Sequence, residues 1–351
     1  MGFGKGHHLH LIDGSAYIFR AYHGLPPLTR KSDGLPVGAV AGFCNILWNE
    51  ISTGKRAGAA THIAVIFDHS SKTFRNEIYP DYKAQRPPPP EDLRPQFPLT
   101  RDATRAFNVA CIEAPGYEAD DIIATLARQA VEAGGSCTII SSDKDLMQLI
   151  RPGIDMFDPM KARAIGPDEV MEKFGVSPEK VIDVQSLAGD STDNVPGAPG
   201  IGLKTAALLI QEYGDLDTLL ARAGEIKQPK RREALLENAD LIRISRDLVT
   251  LKSDTPLAVT LADLAVKQPE PETILDFLTR MEFRVLTKRV AEKLGVEAPS
   301  LPETGAIEVK GAHDEETQSN EEGLPFDHAA YECIRDTQAL DRWTQHIRDI
   351  G

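Results

Sequence analysis

Short apolar runs alternate with longer segments of helical periodicity through the first half of the chain. The strand-like runs are LHLI (9–12), HIAVIF (62–67), NVACI (108–112) and SCTII (136–140). Between them, residues 36–51 and 119–133 repeat apolar side chains at helical spacing. Strands that alternate with helices are typical of a parallel sheet with crossover helices. The pattern therefore predicts an α/β fold with a parallel, twisted sheet.

Two later changes of pattern predict the organisation of the chain. Residues 72–105 are basic, aromatic and proline-rich, and an insertion of this kind is more typical of a functional flap than of a packing element. From about residue 166 the strand-like runs stop and short helical segments take over. We therefore expect an α/β core at 1–165, with the insertion, and a helical region at 166–295.

The last part of the chain has a different composition. Residues 296–326 are acidic, polar and poor in large apolar side chains, which predicts a flexible linker. Residues 327–351 contain YECI (331–334) and then apolar residues at helical spacing. We expect this segment to be the truncated start of a further domain.

Composition excludes several classes of protein. The hydrophobic content of 41% and charged content of 26% fit a globular chain of 351 residues. Apolar runs such as IAVIF (63–67) are too short to span a bilayer, and no secretory signal precedes the first strand. The four cysteines have no metal or redox spacing. These features predict a cytoplasmic protein without a membrane partner.

The acidic net charge does not exclude a nucleic-acid partner. Residues 296–351 hold 13 acidic and 4 basic residues and so carry −9 of the net charge of −14, which leaves −5 for the first 295 residues. If part of those acids binds metal, the remaining surface is neutral or locally basic. Local fields matter more for such binding than the total charge.

Acidic residues recur where an open sheet binds ligands, just past the carboxyl ends of the strands. Five segments supply the candidate set: Asp13, Asp68, Glu118, Asp120, Asp121, Asp143, Asp145, Asp190 and Asp193. Helix capping explains any single member, because acids are favoured in the first turn of a helix. Capping does not explain nine acids from five segments at one edge.

Such a cluster stays ionised only when cations compensate its charge. Oxygen ligands without histidine or cysteine favour Mg²⁺ or Mn²⁺ over zinc. Two such ions about 4 Å apart would stabilise the attacking and leaving oxygens of a phosphoryl displacement. The acids therefore predict a two-metal site for phosphoryl chemistry.

Five blocks of sequence then carry a resemblance. They are LIDGSAYIFRAYHGL (11–25), VIFDHSSKTFRNEIYPDYKAQRP (65–87), PGYEADDIIATLA (115–127), SSDKDLMQL (141–149) and LAGDSTDNVPGAPGIGLKTA (187–206). Over residues 8 to about 295 the chain resembles the 5′-nuclease domain of bacterial DNA polymerase I, within the flap endonuclease superfamily. The resemblance implies a PIN-like fold followed by helices with a helix–hairpin–helix motif. All nine acids match the family's metal ligands.

The resemblance also implies an activity and its partners. The family hydrolyses phosphodiester bonds with Mg²⁺, as a 5′–3′ exonuclease and 5′-flap endonuclease in primer removal and DNA repair. Its substrates are DNA with 5′ flaps, nicks or RNA primers, and its bacterial members work beside a polymerase domain, in cis or in trans. The segment 328–347 resembles the start of the proofreading domain, so the chain resembles the N-terminal part of a polymerase.

Basic and aromatic residues of the insertion fit this reading. Lys83 and Arg86 match residues that the family places over the scissile phosphate, where positive charge stabilises the transition state. Arg20 and Arg75 are weaker candidates for phosphate contacts, with ordinary solvated arginine as the alternative. Tyr82 is a candidate for stacking on an unpaired base, and core packing is its alternative.

A glycine-rich segment supplies the second predicted contact with DNA. In VPGAPGIGLKTAALLI (195–210), Gly197, Gly200 and Gly202 resemble the family's helix–hairpin–helix, which the family also uses to bind K⁺. Lys204 is a candidate phosphate ligand. A hairpin that opens into a helix presents backbone N–H groups to phosphate. A dinucleotide-binding loop is the alternative, but no strand leads into this segment.

Two other functions fit parts of the sequence. One is a structure-selective DNA-binding module that does not cleave, which the complete acid set disfavours. The other is a PIN-type ribonuclease, which the helical half of the chain disfavours.

Overall fold

Six strands form one sheet in the computed structural model, which describes residues 2–53 and 59–299. They are β1 (His8–Asp13), β2 (His62–Ile66), β3 (Ala110–Ile112), β4 (Ser136–Ile140), β5 (Ile154–Asp158) and β6 (Arg163–Ile165). The order across the sheet is β3-β2-β1-β4-β5-β6. β1 to β5 run parallel to one another, and β6 is antiparallel to β5. The predicted α/β fold is confirmed, with an antiparallel strand added at one edge.

The antiparallel edge follows from the length of its connection. Only residues 159–162 separate β5 from β6. A parallel neighbour needs a crossover of a dozen or more residues, whereas a short turn produces a hairpin. The apolar pattern did not predict these two strands, because Asp155 interrupts one and the other is exposed over its first two residues.

Thirteen α-helices lie in the described residues. They are α1 (Gly14–Gly24), α2 (Gly38–Thr53), α3 (Phe74–Ile78), α4 (Gln96–Ala106), α5 (Ala119–Glu132), α6 (Pro167–Phe174), α7 (Val181–Ala188), α8 (Leu203–Tyr213), α9 (Leu216–Ala221), α10 (Pro229–Glu237), α11 (Ala239–Val249), α12 (Pro271–Arg280) and α13 (Arg284–Leu294). The helices predicted at 36–51 and 119–133 correspond to α2 and α5.

Alternation along the buried strands divides the core into two layers. Leu9 and Leu11 of β1 face the layer that contains α5, and Ile12 faces the layer that contains α2. The α5 layer continues without interruption to Leu216 of α9 and Ile242 of α11. The α/β core and the helical region therefore share one apolar core across residue 165.

The strand order reverses between β1 and β4, which lie side by side at the centre of the sheet. From there the chain proceeds to β2 and β3 on one side and to β5 and β6 on the other. Ligands of open α/β sheets bind at the carboxyl ends of the strands that flank such a reversal. The fold thus places the candidate site at the ends of β1 and β4.

None of the helices in the described part of the chain is long and apolar enough to cross a membrane. The predicted linker lies outside the described residues except for residues 296–299. The predicted start of a further domain at 327–351 lies wholly outside them.

Candidate metal centre and active site

The ends of the central strands bring acidic side chains to one edge. Asp13, the last residue of β1, accepts a hydrogen bond from Ser141 Oγ at 2.8 Å, just past the end of β4. Asp13 also caps α1 by accepting from the Ala16 N–H at 3.1 Å. Asp68 follows β2 and accepts from the Ala119 N–H, at the start of α5, at 2.9 Å. These hydrogen bonds fix both carboxylates at the edge predicted from the sequence.

The turn after β4 connects this edge to the helical region. Asp143 caps a short 3₁₀ helix by accepting from the Asp145 N–H at 2.9 Å. Lys144 Nζ lies 3.3 Å from Asp145 Oδ1 and also donates to Asp190, which follows α7. A single ammonium group therefore joins an acid of the sheet edge to an acid of the helical half.

The insertion predicted at 72–105 begins with α3, ends with α4, and carries two cations against the acids. Lys83 Nζ lies 2.9 Å from Glu118 Oε1 and 3.6 Å from Asp193 Oδ2. Arg86 forms an ion pair with Asp193. The backbone adds a further contact, because the Lys83 N–H donates to the Asp193 carbonyl at 2.9 Å. The segment from Lys83 to Arg86 is thus held over the loop that carries Asp193.

Asp120 differs from its neighbours because it has no direct partner. It lies in the first turn of α5. Within residues 2–53 and 59–299 no hydrogen-bond donor or cation contacts its carboxylate. The half-buried side chain lines a small cleft with a cavity volume of about 20 Å³. Four other acids line the same cleft: Glu118, Asp145, Asp190 and Asp193.

Burial and mutual repulsion raise the pKa values of three acids of the site, Asp13, Asp120 and Asp145. Burial raises the pKa of Asp13 to about 6, and the negative charges of Asp143 and Asp68 act in the same direction. Burial also raises the pKa of Asp145 to about 6, again with a contribution from Asp143. The pKa of Asp120 lies well above its ordinary value, because burial and four surrounding acids disfavour its charge. A compensating cation would restore the ionised forms.

The donor set of the cleft fits a hard divalent cation. Its acids supply only oxygen, and one of them, Asp120, has no partner among the described residues. Gln185, whose Nε2 contacts Asp145, carries a buried Oε1 without a hydrogen-bond partner in the described part of the chain. In those residues no three side chains are already spaced to hold one ion. Lys83, Arg86 and Lys144 serve there as counterions.

Asp121 needs a correction as a predicted metal ligand, and Arg75 as a predicted phosphate contact. The two side chains are buried, with exposed fractions of 0% and 1%, and they form a two-pronged ion pair at 2.7 and 2.8 Å. Asp121 is also absent from the lining of the cleft. Arg75 does line the cleft, where it lies 3.5 Å from Glu118 Oε2, but its guanidinium is held by Asp121 and is closed to a phosphate.

Tyr82 needs a similar correction. Its exposed fraction is 5%, and its ring packs with Val195, Leu248 and Val249. Its hydroxyl donates to Glu118 at 3.2 Å. The ring is therefore closed to an unpaired base, and its contact with the site is through the hydroxyl. Arg20 is half-buried and donates to the Pro159 carbonyl.

The glycine-rich segment forms the connection from α7 to α8, between two helices as the sequence predicted. Gly197 and Gly200 have positive φ angles of 63° and 75°, and Gly202 precedes the first residue of α8. Gly202 and Lys204 are exposed. The Gly197 N–H is already used, because it donates to Ser245 Oγ on α11 at 3.0 Å. Phosphate contacts are therefore left to the part of the hairpin from Gly200 onward.

Three residues of the site were missed by the sequence analysis: Ser141, Lys144 and Gln185. Lys144 had a readable signal, because it lies between Asp143 and Asp145 in the sequence SDKDL. Gln185 had none. It lies in α7 at a distance of 40 residues from the acid that it contacts.

Comparison with known proteins places the chain among nucleases. Residues 8–175 match the family described as 5′-3′ exonuclease, N-terminal resolvase-like domain. Residues 176–272 match 5′-3′ exonuclease, C-terminal SAM fold. The two matches meet between α6 and α7, in the helical region that supplies Asp190 and Asp193 to the cleft.

Two relatives have similar sequences. DNA polymerase I of Rhizobium leguminosarum is 50% identical, in an alignment that covers 99% of this chain and 39% of that protein. The chain thus spans about two fifths of that relative. A 5′-3′ exonuclease of Aquifex aeolicus is 35% identical, over 80% of this chain and 94% of the relative.

A solved structure has a similar fold. The flap endonuclease of bacteriophage T5, in a pseudo-enzyme-product complex with DNA and metal ions, aligns with a TM-score of 0.57. It is 22% identical, and the alignment covers 82% of this chain and 98% of that one. At this identity the likeness supports the fold.

Proposed function

Because the chain belongs to the 5′-3′ exonuclease family, we propose that it is a structure-specific 5′-nuclease that uses two Mg²⁺ ions, with Mn²⁺ as a substitute. Its substrates are DNA strands with 5′ flaps, nicks or RNA primers, and its role is in primer removal and DNA repair in the cytoplasm, at the nucleoid. A polymerase domain works beside it, in cis or in trans. One observation carries the proposal: five carboxylates line one cleft at the strand ends, with Lys83 and Arg86 held against two of them.

In this proposal eight of the predicted acids hold the ions. They are Asp13, Asp68, Glu118, Asp120, Asp143, Asp145, Asp190 and Asp193. Bound divalent metal would lower the pKa of a water nucleophile and offset charge on the scissile phosphate. Asp145, from the turn after β4, lines the same cleft as Asp190 and Asp193, from the loop after α7. A site for two metal ions therefore needs residues from both the α/β core at 1–165 and the helical region at 166–295.

Lys83 and Arg86 bind the phosphate in this proposal. In the structure both cations are held by the carboxylates of Glu118 and Asp193. With those acids neutralised by bound cations, the two side chains would be available to the scissile phosphate. Their positive charge then stabilises the negative charge that develops in the transition state.

The hairpin between α7 and α8 holds the duplex part of the substrate. The free N-terminal end of α8, with Gly200, Gly202 and Lys204, offers backbone N–H groups and one ammonium to a phosphate. Such contacts are independent of base sequence, which suits a nuclease that recognises the shape of its substrate. We also assign the K⁺ site implied by the resemblance to this turn.

Removal of divalent metal tests the proposed function. A 5′-labelled flap duplex is incubated with the protein in Mg²⁺, in chelator, and in chelator followed by excess Mg²⁺. We expect cleavage near the flap junction in the first and third reactions. We expect none in the second, because the chelator removes the divalent ions that the oxygen ligands of the cleft would hold. Cleavage that persists in chelator, or a flap bound but never cut, would reject the proposal in favour of metal-free chemistry or a binding module.

Replacement of Lys83 by Met is expected to lower the single-turnover cleavage rate by about 10²- to 10³-fold, the usual loss when one transition-state donor is removed. Flap affinity, measured with Ca²⁺ in place of Mg²⁺, should change far less. Lys5→Met is a matched control, because Lys5 is exposed beyond the opposite end of β1. Equal rates in the two variants would remove Lys83 from the chemistry.

A further inference from the structure

We propose that Arg75 and Asp121 form a buried positioning pair, which aligns the acids at the start of α5 with the helical half of the site. The proposal rests on the proposed nuclease function. It assigns Asp121 a role that differs from that of its neighbour Asp120, although the two are adjacent in the sequence. In this proposal neither member binds the ions or the DNA, and Arg75 contacts the site only through the Glu118 carboxylate, 3.5 Å from its Nη1.

The hydrogen bonds of Asp121 leave no room for an ion. Arg75 donates to both carboxylate oxygens, at 2.7 and 2.8 Å. The Glu118 N–H donates to Oδ2 at 3.1 Å, and the Lys252 N–H donates to Oδ1 at 2.9 Å. A carboxylate has about four lone-pair sites, and four donors occupy them here. Asp120, one residue earlier, has no donor within the described residues.

The guanidinium of Arg75 connects Asp121 to a third segment. Its Nε donates to the Leu248 carbonyl at 2.7 Å, and one terminal nitrogen donates to the Thr250 carbonyl at 3.2 Å. Four hydrogen bonds from one planar group use most of its five donors. Lysine has no such fork, so arginine is required for this set of contacts.

The three segments joined by the pair each carry part of the candidate site. Arg75 belongs to α3, just before the segment with Lys83 and Arg86. Asp121 belongs to α5 and holds the backbone of Glu118 in place. The segment 248–252 leaves α11, the helix that accepts a hydrogen bond from the hairpin through Ser245.

A displaced pair would therefore move several groups at once. The acids of α5, the cations of the insertion and the duplex-binding hairpin all depend on it for their mutual alignment. Misplacement of reacting groups by about 1 Å can cost a factor of 10² in rate. We infer that breaking the pair lowers the rate of cleavage without removing a ligand from the ions.

Two measurements on four proteins test this assignment. Mn²⁺ binding without DNA is measured by calorimetry, and single-turnover flap cleavage is measured with saturating Mn²⁺. The proteins are the wild type, Asp120→Asn, Asp121→Asn and Arg75→Lys. The double variant Arg75→Lys/Asp121→Asn is added for the cleavage assay. Circular dichroism confirms that each protein is folded.

Asp121→Asn and Arg75→Lys should resemble each other, because each breaks the same pair. We expect both to lose about 10- to 100-fold in cleavage rate, as is usual for groups that orient metal ligands, with the wild-type number of bound Mn²⁺. The double variant should be no slower than the slower single variant, since the pair acts as a unit. Asp120→Asn should instead lose Mn²⁺ affinity or one bound ion.

The opposite pattern overturns the proposal. If Asp121→Asn loses Mn²⁺ as Asp120→Asn does, while Arg75→Lys cleaves at the wild-type rate, then Asp121 is a ligand and the pair positions nothing. If Asp121→Asn fails to fold, Arg75→Lys alone decides, through its rate and its number of ions. Failure of the proposed function is a separate result, because it is seen as no cleavage by the wild type.

Discussion

Asp120→Asn is expected to lower the cleavage rate by about a thousand-fold or more and, in the metal-free protein, to raise the melting temperature. The loss of rate would follow from the loss of a proposed metal ligand, because bound metal supplies several kcal/mol of transition-state stabilisation and each 1.36 kcal/mol is a factor of ten. Asp120 is the acid of the cleft that has no competing partner among the described residues. It is therefore the side chain most available to an ion.

The gain in stability follows from the charge of the same side chain. Burial raises the pKa of Asp120, and the nearby charges of Asp143, Asp13, Glu118 and Asp68 add to that rise. A carboxyl whose pKa is raised on folding binds its proton more tightly in the folded protein. Above that pKa it is ionised, and its charge opposes folding. Asn has a similar shape and no charge, so the variant avoids this cost.

The pH dependence of the melting temperature is a second test of whether the charge of Asp120 destabilises the metal-free protein. The wild type should become more stable as the pH falls through the raised pKa of Asp120, since protonation removes the repulsion. Asp120→Asn cannot gain in this way, so the difference in melting temperature should be largest at neutral pH and should shrink in acid. Added Mg²⁺ should also reduce the difference, because it stabilises the wild type by binding to the folded state.

Thermal unfolding in chelator, from pH 5 to pH 8, together with single-turnover cleavage, measures both effects. Asp276→Asn is the control, because Asp276 is exposed on α12 in a surface ion pair that contributes little. A variant that cuts at the wild-type rate would show that Asp120 holds no essential ion. A lower melting temperature in chelator would show that its charge is already compensated in the metal-free protein.

The positions of the acids were predictable because they depend on strand ends. A parallel strand leaves its last residue at a fixed edge of the sheet, so Asp13 and Asp68 were assigned from apolar runs alone. The same reasoning found Asp143 and Asp145 after β4. Asp190 and Asp193 were added from the polar loop GDSTDN (189–194), and the resemblance over five blocks then matched all nine acids.

The roles of adjacent acids were not predictable in the same way. Asp120 and Asp121 follow each other in the sequence and both lie in the first turn of α5. Successive side chains on a helix point in directions about 100° apart, so one lines the cleft while the other enters the core. Only the position of Arg75, which reaches Asp121 from α3, shows that Asp121 is the buried acid and Asp120 the one that lines the cleft.

The packing of the Tyr82 ring is a second feature that the sequence did not predict. Aromatic residues among basic ones are typical of stacking platforms for single strands, and the residues around Lys83 have that composition. The structure gives the ring of Tyr82 three apolar neighbours from the helical half of the chain. Contacts between residues more than 100 positions apart depend on the packing of helices, which has no local sequence signal.

Gly197→Ala is expected to destabilise the fold by about 3 kcal/mol and to weaken duplex binding. The φ angle of Gly197 is +63°, which costs an L-residue about 1–2 kcal/mol. A Cβ would also lie 2.4 Å from the Gly189 nitrogen and 2.7 Å from the Ala188 carbonyl carbon. These are backbone atoms that cannot rotate away, and such overpacking costs about 1–3 kcal/mol. The hairpin would have to separate from the end of α7.

Gly200→Ala is the matched control in the same hairpin. Its φ angle of +75° also disfavours alanine, but no atom lies within 4 Å of the added Cβ. Its cost should therefore be only the backbone term of about 1–2 kcal/mol. Denaturant unfolding of both variants, with duplex affinity measured in Ca²⁺, separates close packing from conformation. If the two alanines destabilise the protein equally, the contact of Gly197 with α7 contributes nothing, and the hairpin is held by its backbone angles alone.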